Sequence, residues 1–223
     1  MGKLIVLEGL DGSGKSTQLD LLENSFKNLD RNFKTVSFPA YELNSCAPVK
    51  MYLAGEFGSN PDDVNAYAAS VLYAVDRFAS YKKDWGSYYE SGGTVLAGRY
   101  VTSNAIHQAS KLPECEKKDF IDWLCDLEYK KIGIPKPDLV IYLQVPVEAS
   151  QKMLSGRYDG DDNKKDIHEK DVEYQNLCRK TADYAADLLG WEKVACYKNG
   201  AMRSREDIAK EILDIVNKKL YSE

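Results

Sequence analysis

Short apolar runs alternate along the chain with longer segments in which apolar residues recur at helical spacing. Five of these runs have the composition and flanks of β-strands, at residues 4–10, 35–38, 94–97, 139–143 and 194–197. The run at 139–143 is apolar at nearly every position, as strands are when both faces of a parallel sheet are covered. The alternation therefore predicts an α/β fold of three layers, with helices on both sides of a five-stranded parallel sheet.

The helices between these strands are predicted from their apolar faces and their first residues. The helix after the first strand carries four residues on its predicted inward face: Leu19, Leu22, Phe26 and Leu29. Asn-Pro-Asp-Asp at 60–63 is typical of a helix start, and that helix is predicted to run to about Tyr89. Ser204 is predicted to cap the last helix, whose inward residues are Ile208, Ile212, Ile215 and Val216.

One segment departs from this pattern. Residues 157–171 hold four basic and six acidic side chains and almost no apolar ones, so they cannot bury a face of their own. We predict a mobile surface segment there, within a single domain that spans residues 1–223.

Composition narrows the classes of partner and compartment. The net charge is −5, from 30 Lys and Arg against 35 Asp and Glu, whereas proteins that bind duplex nucleic acid carry a basic face. We therefore expect no nucleic-acid partner. A run of about 18 apolar residues is lacking, so no membrane span is expected. The five cysteines form no Cys-x-x-Cys pair, which favours free thiols in a reducing cytoplasm.

A phosphate-binding motif lies between the first predicted strand and the helix that follows it. Residues 9–16 read Gly-Leu-Asp-Gly-Ser-Gly-Lys-Ser and match G-x-x-x-x-G-K-[ST] at every position. Such a loop turns backbone N–H groups toward phosphate oxygens at a helix N-terminus. Lys15 is expected to contact the β- and γ-phosphates, and Ser16 to bind Mg²⁺. The predicted ATP-binding residues are Gly9, Leu10, Asp11, Gly12, Ser13, Gly14, Lys15, Ser16 and Thr17.

Two arginines are candidates for binding a second, anionic substrate. Arg99 directly follows the third predicted strand, where the carboxyl ends of parallel strands meet. Arg77 lies four residues after Tyr73, so an aromatic ring and a guanidinium share one helix face. Taken singly, such residues are more often a solvated charge or a core tyrosine. Together they suggest a phosphorylated acceptor.

Six motifs, in the same order, resemble those of thymidylate kinases: residues 8–17, 38–39, 73–77, 99–104, 135–140 and 166–169. The resemblance extends over nearly the whole chain. It implies a P-loop NTPase-like fold in which residues 157–171 are a mobile lid over ATP. It also implies Mg²⁺-dependent phosphorylation of dTMP to dTDP by direct in-line transfer from ATP, in dTTP synthesis, by a homodimer.

The resemblance also assigns residues. Asp11 would bind the deoxyribose 3′-OH, Tyr73 would stack on thymine, Arg77 would hydrogen-bond the base and Arg99 would hold the acceptor phosphate. The other expected pocket residues are Phe38, Tyr41, Ser103, Asn104, His107, Gln108 and His168. The expected catalytic residues are Lys15, Arg99, Arg157 and Asp11.

Three positions differ from the common pattern of the family. Some members place a catalytic Arg directly after the Asp of the phosphate loop, where this chain has Gly12. That resembles members with a lid cation, for which Arg157 is our candidate and Lys164 and Lys165 are reserves. Gly98 stands where an Asp usually precedes Arg-Tyr, and Ala40 where an Arg often follows Phe-Pro.

Two alternatives stay open at this point. One is a related kinase acting on another deoxynucleotide or on a deoxynucleoside, although a nucleoside would leave Arg99 without an anion. The other is a nucleotide-binding protein with little turnover. Gly98 and Ala40 support this alternative, because they replace charged residues that are common in the family.

Overall fold

A five-stranded parallel sheet forms the centre of the computed structural model, which describes residues 1–157 and 172–222. Its strands are β1 (Lys3–Glu8), β2 (Phe33–Ser37), β3 (Thr94–Gly98), β4 (Leu139–Gln144) and β5 (Glu192–Ala195). Their order across the sheet is β2-β3-β1-β4-β5, so the first strand is central. Leu7 of β1 pairs with Gly98 of β3 and with Ile141 of β4, which brings the carboxyl ends of three strands together.

Helices cover both faces of this sheet. They are α1 (Lys15–Asn28), α2 (Ala47–Leu53), α3 (Ala66–Ser80), α4 (Gly86–Glu90), α5 (Val101–His107), α6 (Glu114–Cys125), α7 (Val147–Arg157), α8 (Val172–Leu189) and α9 (Arg205–Val216). Segments of π-helix extend three of them, at Tyr81–Trp85, Asp126–Ile132 and Asn217–Tyr221. Short 3₁₀ turns lie at Asn44–Cys46, Pro61–Asp63 and Ala109–Lys111, and a hairpin pairs β6 (Tyr197–Lys198) with β7 (Ala201–Met202).

Alternate residues of the central strand belong to two different cores. Leu4 and Val6 pack in a cluster with residues of the segment 81–89 and of α5, α6 and α8. Ile5 and Leu7 pack in a second cluster, with α1 and α9. Because successive side chains of a strand point to opposite faces, the two clusters lie on opposite sides of the sheet. The prediction of three layers around a five-stranded parallel sheet is confirmed.

The predicted helix start at residues 60–63 was wrong. Asn60 and Asp63 do form a capping box, but it opens the 3₁₀ turn Pro61–Asp63, after which Val64 is extended. The long helix begins at Ala66, where the Asn65 side chain accepts a hydrogen bond of 2.9 Å from the Ala68 N–H. Through the π segment and α4 it continues to Glu90, close to its predicted end.

Leu29 is not on the buried face of α1. The helix ends at Asn28, and Leu29 is 47% exposed, whereas Leu19, Leu22 and Phe26 are buried as predicted. At the other end of the chain Ser204 caps α9, its Oγ accepting from the Asp207 N–H at 3.1 Å. Among the helices of residues 1–157 and 172–222, none is long and apolar enough to cross a membrane.

Substitution of Phe26 tests the core between α1 and the sheet. Its fully buried ring meets Phe33 and Tyr221 edge-on at 5.7 and 6.1 Å. We expect Phe26→Ala to lower the free energy of unfolding by about 3–5 kcal/mol, because it removes ring contacts and leaves a cavity. Leu29→Ala, three residues along the same chain, should change it by less than about 0.5 kcal/mol. Equal losses in urea denaturation would contradict the assignment of the buried face.

Candidate active site

The phosphate loop connects β1 to α1 and turns back on itself. The ammonium group of Lys15 lies inside this turn, because Nζ donates to the carbonyls of Gly9 and Leu10 at 2.8 and 2.7 Å. Ser16, on the first turn of α1, is exposed. All of the loop from Asp11 to Thr17 lines a large open cleft bordered by α1, the end of β2, Gly98 and α7.

Gly12 is the point where α7 packs against this loop. A Cβ at residue 12 would lie 2.4 Å from the carbonyl oxygen of Ser150 and 2.9 Å from Leu154 Cγ. The backbone there also has a φ of +74°, which L side chains rarely adopt. No side chain fits at residue 12 in this arrangement, an arginine included.

A second cavity adjoins the phosphate loop and gathers the predicted substrate-binding residues. Those in the described ranges all line it: Asp11, Phe38, Tyr41, Tyr73, Arg77, Arg99, Ser103, Asn104, His107 and Gln108. Pro39, Leu53 and Tyr100 also line it and were not predicted from the sequence. His168 lies outside the described residues. Asp11 and Arg99 border both the cavity and the cleft, so the two spaces meet there.

Arg99 occupies this junction in an unusual backbone conformation. Its φ is +65°, and its N–H donates to the Leu7 carbonyl at 3.1 Å, just beyond the pairing of β1 with β3. The guanidinium forms an ion pair with the Asp11 carboxylate. Its Nη1 lies 3.2 Å from both Ser103 Oγ and His107 Nε2. A fixed cation therefore stands between the phosphate loop and the second cavity.

Glu8 supports the same junction from behind and was not selected from the sequence. The carboxylate is fully buried at the end of β1, where Oε1 accepts from the Gly9 N–H at 2.9 Å. Its Oε2 accepts from the hydroxyls of Thr102 and Ser103 at 2.7 and 2.8 Å, and Arg99 Nη1 lies 3.7 Å from Oε1. A carboxylate ending an apolar strand was the available signal, since a buried charge needs partners.

Arg77 forms part of the cavity wall and is held by a buried carboxylate. Its Nε and Nη2 donate to the two oxygens of Glu128 at 2.7 and 2.5 Å, and Nη1 donates to the Tyr100 carbonyl at 3.3 Å. Burial lowers the pKa of the guanidinium, but the charge and hydrogen bonds of Glu128 raise it, and the net shift is upward. Arg77 is therefore a permanent cation.

Polar and aromatic groups line the cavity beside Arg77. The Tyr73 ring meets Tyr52 edge-on, with centroids 6.2 Å apart. Gln108 is 1% exposed, and its Oε1 has no hydrogen-bond partner among the described residues. Asn104 Nδ2 donates to the Ser70 carbonyl at 3.3 Å, which fixes that amide against α3. The cavity thus presents a donor, an aromatic face and an acceptor that has no partner in the described part of the chain.

His107 connects the cavity to α8, the helix that follows the predicted lid segment. Its Nδ1 lies 3.4 Å from Cys178 Sγ, and its carbonyl accepts from the hydroxyls of Ser110 and Tyr174 at 2.8 and 2.6 Å. Burial is the main reason that the pKa of Cys178 rises to about 12, so the thiol stays protonated. Arg99, which always carries its protons, donates to Nε2, and this places the imidazole proton on Nδ1.

The other two departures from the family pattern, Gly98 and Ala40, have defined surroundings. A Cβ at residue 98 would lie 3.2 Å from Leu19 Cδ2 and 3.4 Å from Ser37 Oγ, at the edge of the open cleft. The Ala40 N–H donates to the buried carboxylate of Asp76 at 2.7 Å, so the loop after Pro39 is anchored to α3 without an arginine.

A phosphate loop opening onto a cavity with two fixed guanidinium groups defines a P-loop phosphotransferase that acts on a small anionic acceptor. Comparison with known proteins gives the particular family. The family model described as thymidylate kinase matches residues 7–212. The chain therefore belongs to the thymidylate kinase family, enzymes that phosphorylate dTMP to dTDP with ATP.

Individual relatives agree with this assignment. The chain is 32% identical over 192 residues to a thymidylate kinase of Mycobacterium tuberculosis, covering 84% of this chain and 87% of that protein. It is 30% identical over 217 residues to a thymidylate kinase of Plasmodium falciparum, covering 97% and 90%. The fold matches a solved thymidylate kinase structure from Candida albicans with a TM-score of 0.72 at 20% identity, covering 97% of this chain and 92% of that one.

The close approach at Gly12 can be tested with alanine. We expect Gly12→Ala to weaken ATP binding about tenfold or more and to lower the unfolding temperature, because the methyl group clashes with the Ser150 carbonyl. The matched control is Gly92→Ala, where φ is +99° and nothing lies within 4 Å. It should cost about 1–2 kcal/mol of stability through its backbone alone and leave ATP affinity unchanged. Calorimetric titration separates the two variants, and equal ATP affinities would refute the clash.

Proposed function

We propose that this chain transfers the γ-phosphate of Mg–ATP to dTMP by direct in-line displacement, which yields dTDP for dTTP synthesis. The observation that carries the proposal is the shared wall at Asp11 and Arg99, where the phosphate loop and the second cavity meet. ATP in the loop and a nucleotide in the cavity would therefore present their phosphates to one another. Neighbouring reactants held in line need little further catalysis beyond charge neutralisation.

The reaction forms one bond and breaks one. An oxygen of the dTMP phosphate bonds to the γ-phosphorus of ATP, while the bond to the β–γ bridging oxygen breaks and ADP leaves. A phosphate monoester has a second pKa of about 6 and is largely a dianion at neutral pH. Its oxygen can therefore attack without a strong general base to remove a proton. Arg99 would hold the acceptor phosphate, and Lys15 would stabilise charge on the transferred group.

Recognition of the base follows from the groups that line the cavity. Tyr73 would stack on the pyrimidine, and Arg77 Nη1 would donate to thymine O4. The buried Oε1 of Gln108, without a partner among the described residues, would accept from thymine N3–H. Cytosine reverses both groups, with an amino group at position 4 and an acceptor at N3. The pair of side chains therefore favours thymine or uracil over cytosine.

The sugar would lie between Asp11 and His107. We propose that Asp11 binds the 3′-OH and that His107 limits space near the 2′ position. Phe38, Tyr41, Ser103 and Asn104 would complete the pocket, with His168 from the lid.

Magnesium is expected to accompany ATP. In the described part of the chain no three His, Cys, Asp or Glu side chains could hold a metal together, and the Ser16 hydroxyl is exposed at the loop. This donor set fits Mg²⁺, which usually keeps several waters and binds substrate phosphates with few protein ligands. Ser16 would hold the ion, which would neutralise the β- and γ-phosphates.

We propose that a cation from residues 157–171 completes the site when this segment closes as a lid of the single domain 1–223. Arg157 is the first candidate, with Lys164 and Lys165 in reserve. The absence of space for a side chain at Gly12 supports a source outside the phosphate loop. A cation delivered at closure stabilises charge that develops in the transition state.

The same enzyme is proposed to be a homodimer in a reducing cytoplasm. Val71, Val75 and Phe78 recur at spacings of four and three residues on α3 and are 44%, 50% and 40% exposed. An apolar stripe of this kind fits a second copy of the helix.

The free thiols of Cys46, Cys115, Cys125, Cys178 and Cys196 agree with a reducing compartment.

The first experiment measures ADP release from Mg–ATP with dTMP, dUMP, the ribose analogue of dTMP, dCMP and thymidine, each offered separately. We expect turnover with dTMP, weaker turnover with dUMP, and rates at least about 100-fold lower with dCMP, because its hydrogen-bonding groups are reversed. Turnover with thymidine but not dTMP would move the acceptor class to nucleosides. ATP binding without stimulation by any acceptor would refute the kinase and leave a nucleotide-binding protein.

Sedimentation tests the dimer. The parent chain should sediment as a dimer, and Val75→Glu should give monomers because it places a charge in the α3 stripe. Leu189→Glu, at a residue 37% exposed on α8, is the matched control and should stay dimeric. A monomeric parent chain at micromolar concentration would contradict the proposal.

A further inference from the structure

Glu128 is a buried acid that the proposed reaction does not use. It is 0% exposed and does not line the acceptor cavity, yet both of its oxygens bind the guanidinium of Arg77, which is 1% exposed and does line it. Moving the Glu128 carboxylate and the Arg77 guanidinium out of water costs free energy, and their attraction offsets this cost only when the geometry of the pair is good. A bidentate pair with distances of 2.7 and 2.5 Å has that geometry.

The backbone that carries Glu128 is itself fixed. Glu128 lies in the π-helical segment Asp126–Ile132, which ends at Gly133 with a φ of +80°. The N–H groups of Gly133 and Ile134 both donate to the Glu128 carbonyl, at 3.0 and 3.1 Å. The carboxylate therefore approaches Arg77 from an anchored position, and π segments of this kind are frequent near functional sites.

The pairing leaves one edge of the guanidinium for a ligand. Glu128 engages Nε and Nη2, and the carbonyl of Tyr100 accepts one hydrogen of Nη1. Of the five N–H groups, one on Nη1 and one on Nη2 remain, and these are the donors that can face the cavity. Because a guanidinium is planar, fixing Nε and Nη2 also fixes the direction of these N–H groups.

We infer that Glu128 is a positioning residue for base selection, holding Arg77 so that it accepts a pyrimidine with a carbonyl at position 4 and rejects one with an amino group. This inference rests on the proposed function. The preferred substrate class is a thymine or uracil deoxynucleotide. Without the carboxylate, Arg77 keeps its charge but gains freedom to swing, and the direction of its donor is lost.

The test uses the full chain with Glu128→Gln, Arg77→Met and the double variant. Glutamine has one acceptor oxygen, and its amide hydrogens would face the Arg77 donors, so the pair is disrupted with little change of volume. In Glu128→Gln we expect the KM for dTMP to rise about tenfold or more, with kcat changed less than about threefold. The ratio of kcat/KM for dTMP over dCMP should fall by about tenfold or more, and the KM for ATP should stay constant.

Three comparisons separate positioning from general damage. Asp126→Asn makes the same chemical change on the same π segment, at a half-exposed side chain that pairs only weakly with Lys130 and Lys131, so it should leave all these values unchanged. In the Arg77→Met background, Glu128→Gln should cause no further loss of base selection, because it acts through the guanidinium. Glu128→Asp keeps the charge with a shorter reach and should lie between the parent and Glu128→Gln.

The outcomes distinguish the two proposals. A parent chain that does not phosphorylate dTMP refutes the proposed function itself. A parent chain that does so, with Glu128→Gln and Glu128→Asp both within about twofold of it in dTMP KM and in the dTMP to dCMP ratio, overturns the role of Glu128. An equal rise in the KM for ATP, or independent additive losses in the double variant, also overturns it. If Glu128→Gln does not fold, Glu128→Asp decides the matter by the same criteria.

Discussion

The candidate active site depends on one buried carboxylate at the end of the central strand. Glu8 accepts hydrogen bonds from the first N–H of the phosphate loop and from two hydroxyls of α5. The loop lines the open cleft and α5 lines the second cavity, so a single side chain connects the walls of the two spaces. A buried charge without these partners would be too costly to keep. The hydrogen bonds to the Glu8 carboxylate therefore require β1, the loop and α5 to come together in one arrangement.

Much of the fold was readable from the sequence because parallel strands covered on both faces leave apolar runs that few other structures produce. Helix boundaries were less readable. Asn60 and Asp63 have the chemistry of a helix start, yet they cap a 3₁₀ turn, and nothing local distinguishes that turn from the first turn of α3. Leu29 continued an apolar period one residue past the end of α1, where only tertiary packing decides burial.

The residues of the candidate site also fall into two groups, those that the sequence predicts and those that it does not. Residues within motifs, such as Lys15 and Arg99, carry their chemistry in a local pattern, and the structure gathers those of the described ranges around two adjoining spaces. Glu128 was missed because it is 51 positions from Arg77 in a polar segment that looks like any solvated helix surface. The contact between Gly12 and Ser150 likewise arises from the packing of distant segments. Long-range pairing of this kind leaves no periodic signal in the chain.

The left-handed backbone of Arg99 has a consequence for the thermodynamics of association. A residue with a side chain in this conformation costs roughly 1–2 kcal/mol, and here strand pairing and the Leu7 carbonyl impose it before any ligand arrives. That cost belongs to the folded state, so it does not recur each time an anion binds. Immobilising an arginine on a flexible loop would instead consume entropy at every encounter. Part of the free energy of folding is therefore used to hold Arg99 in place, and less entropy is lost when an anion binds.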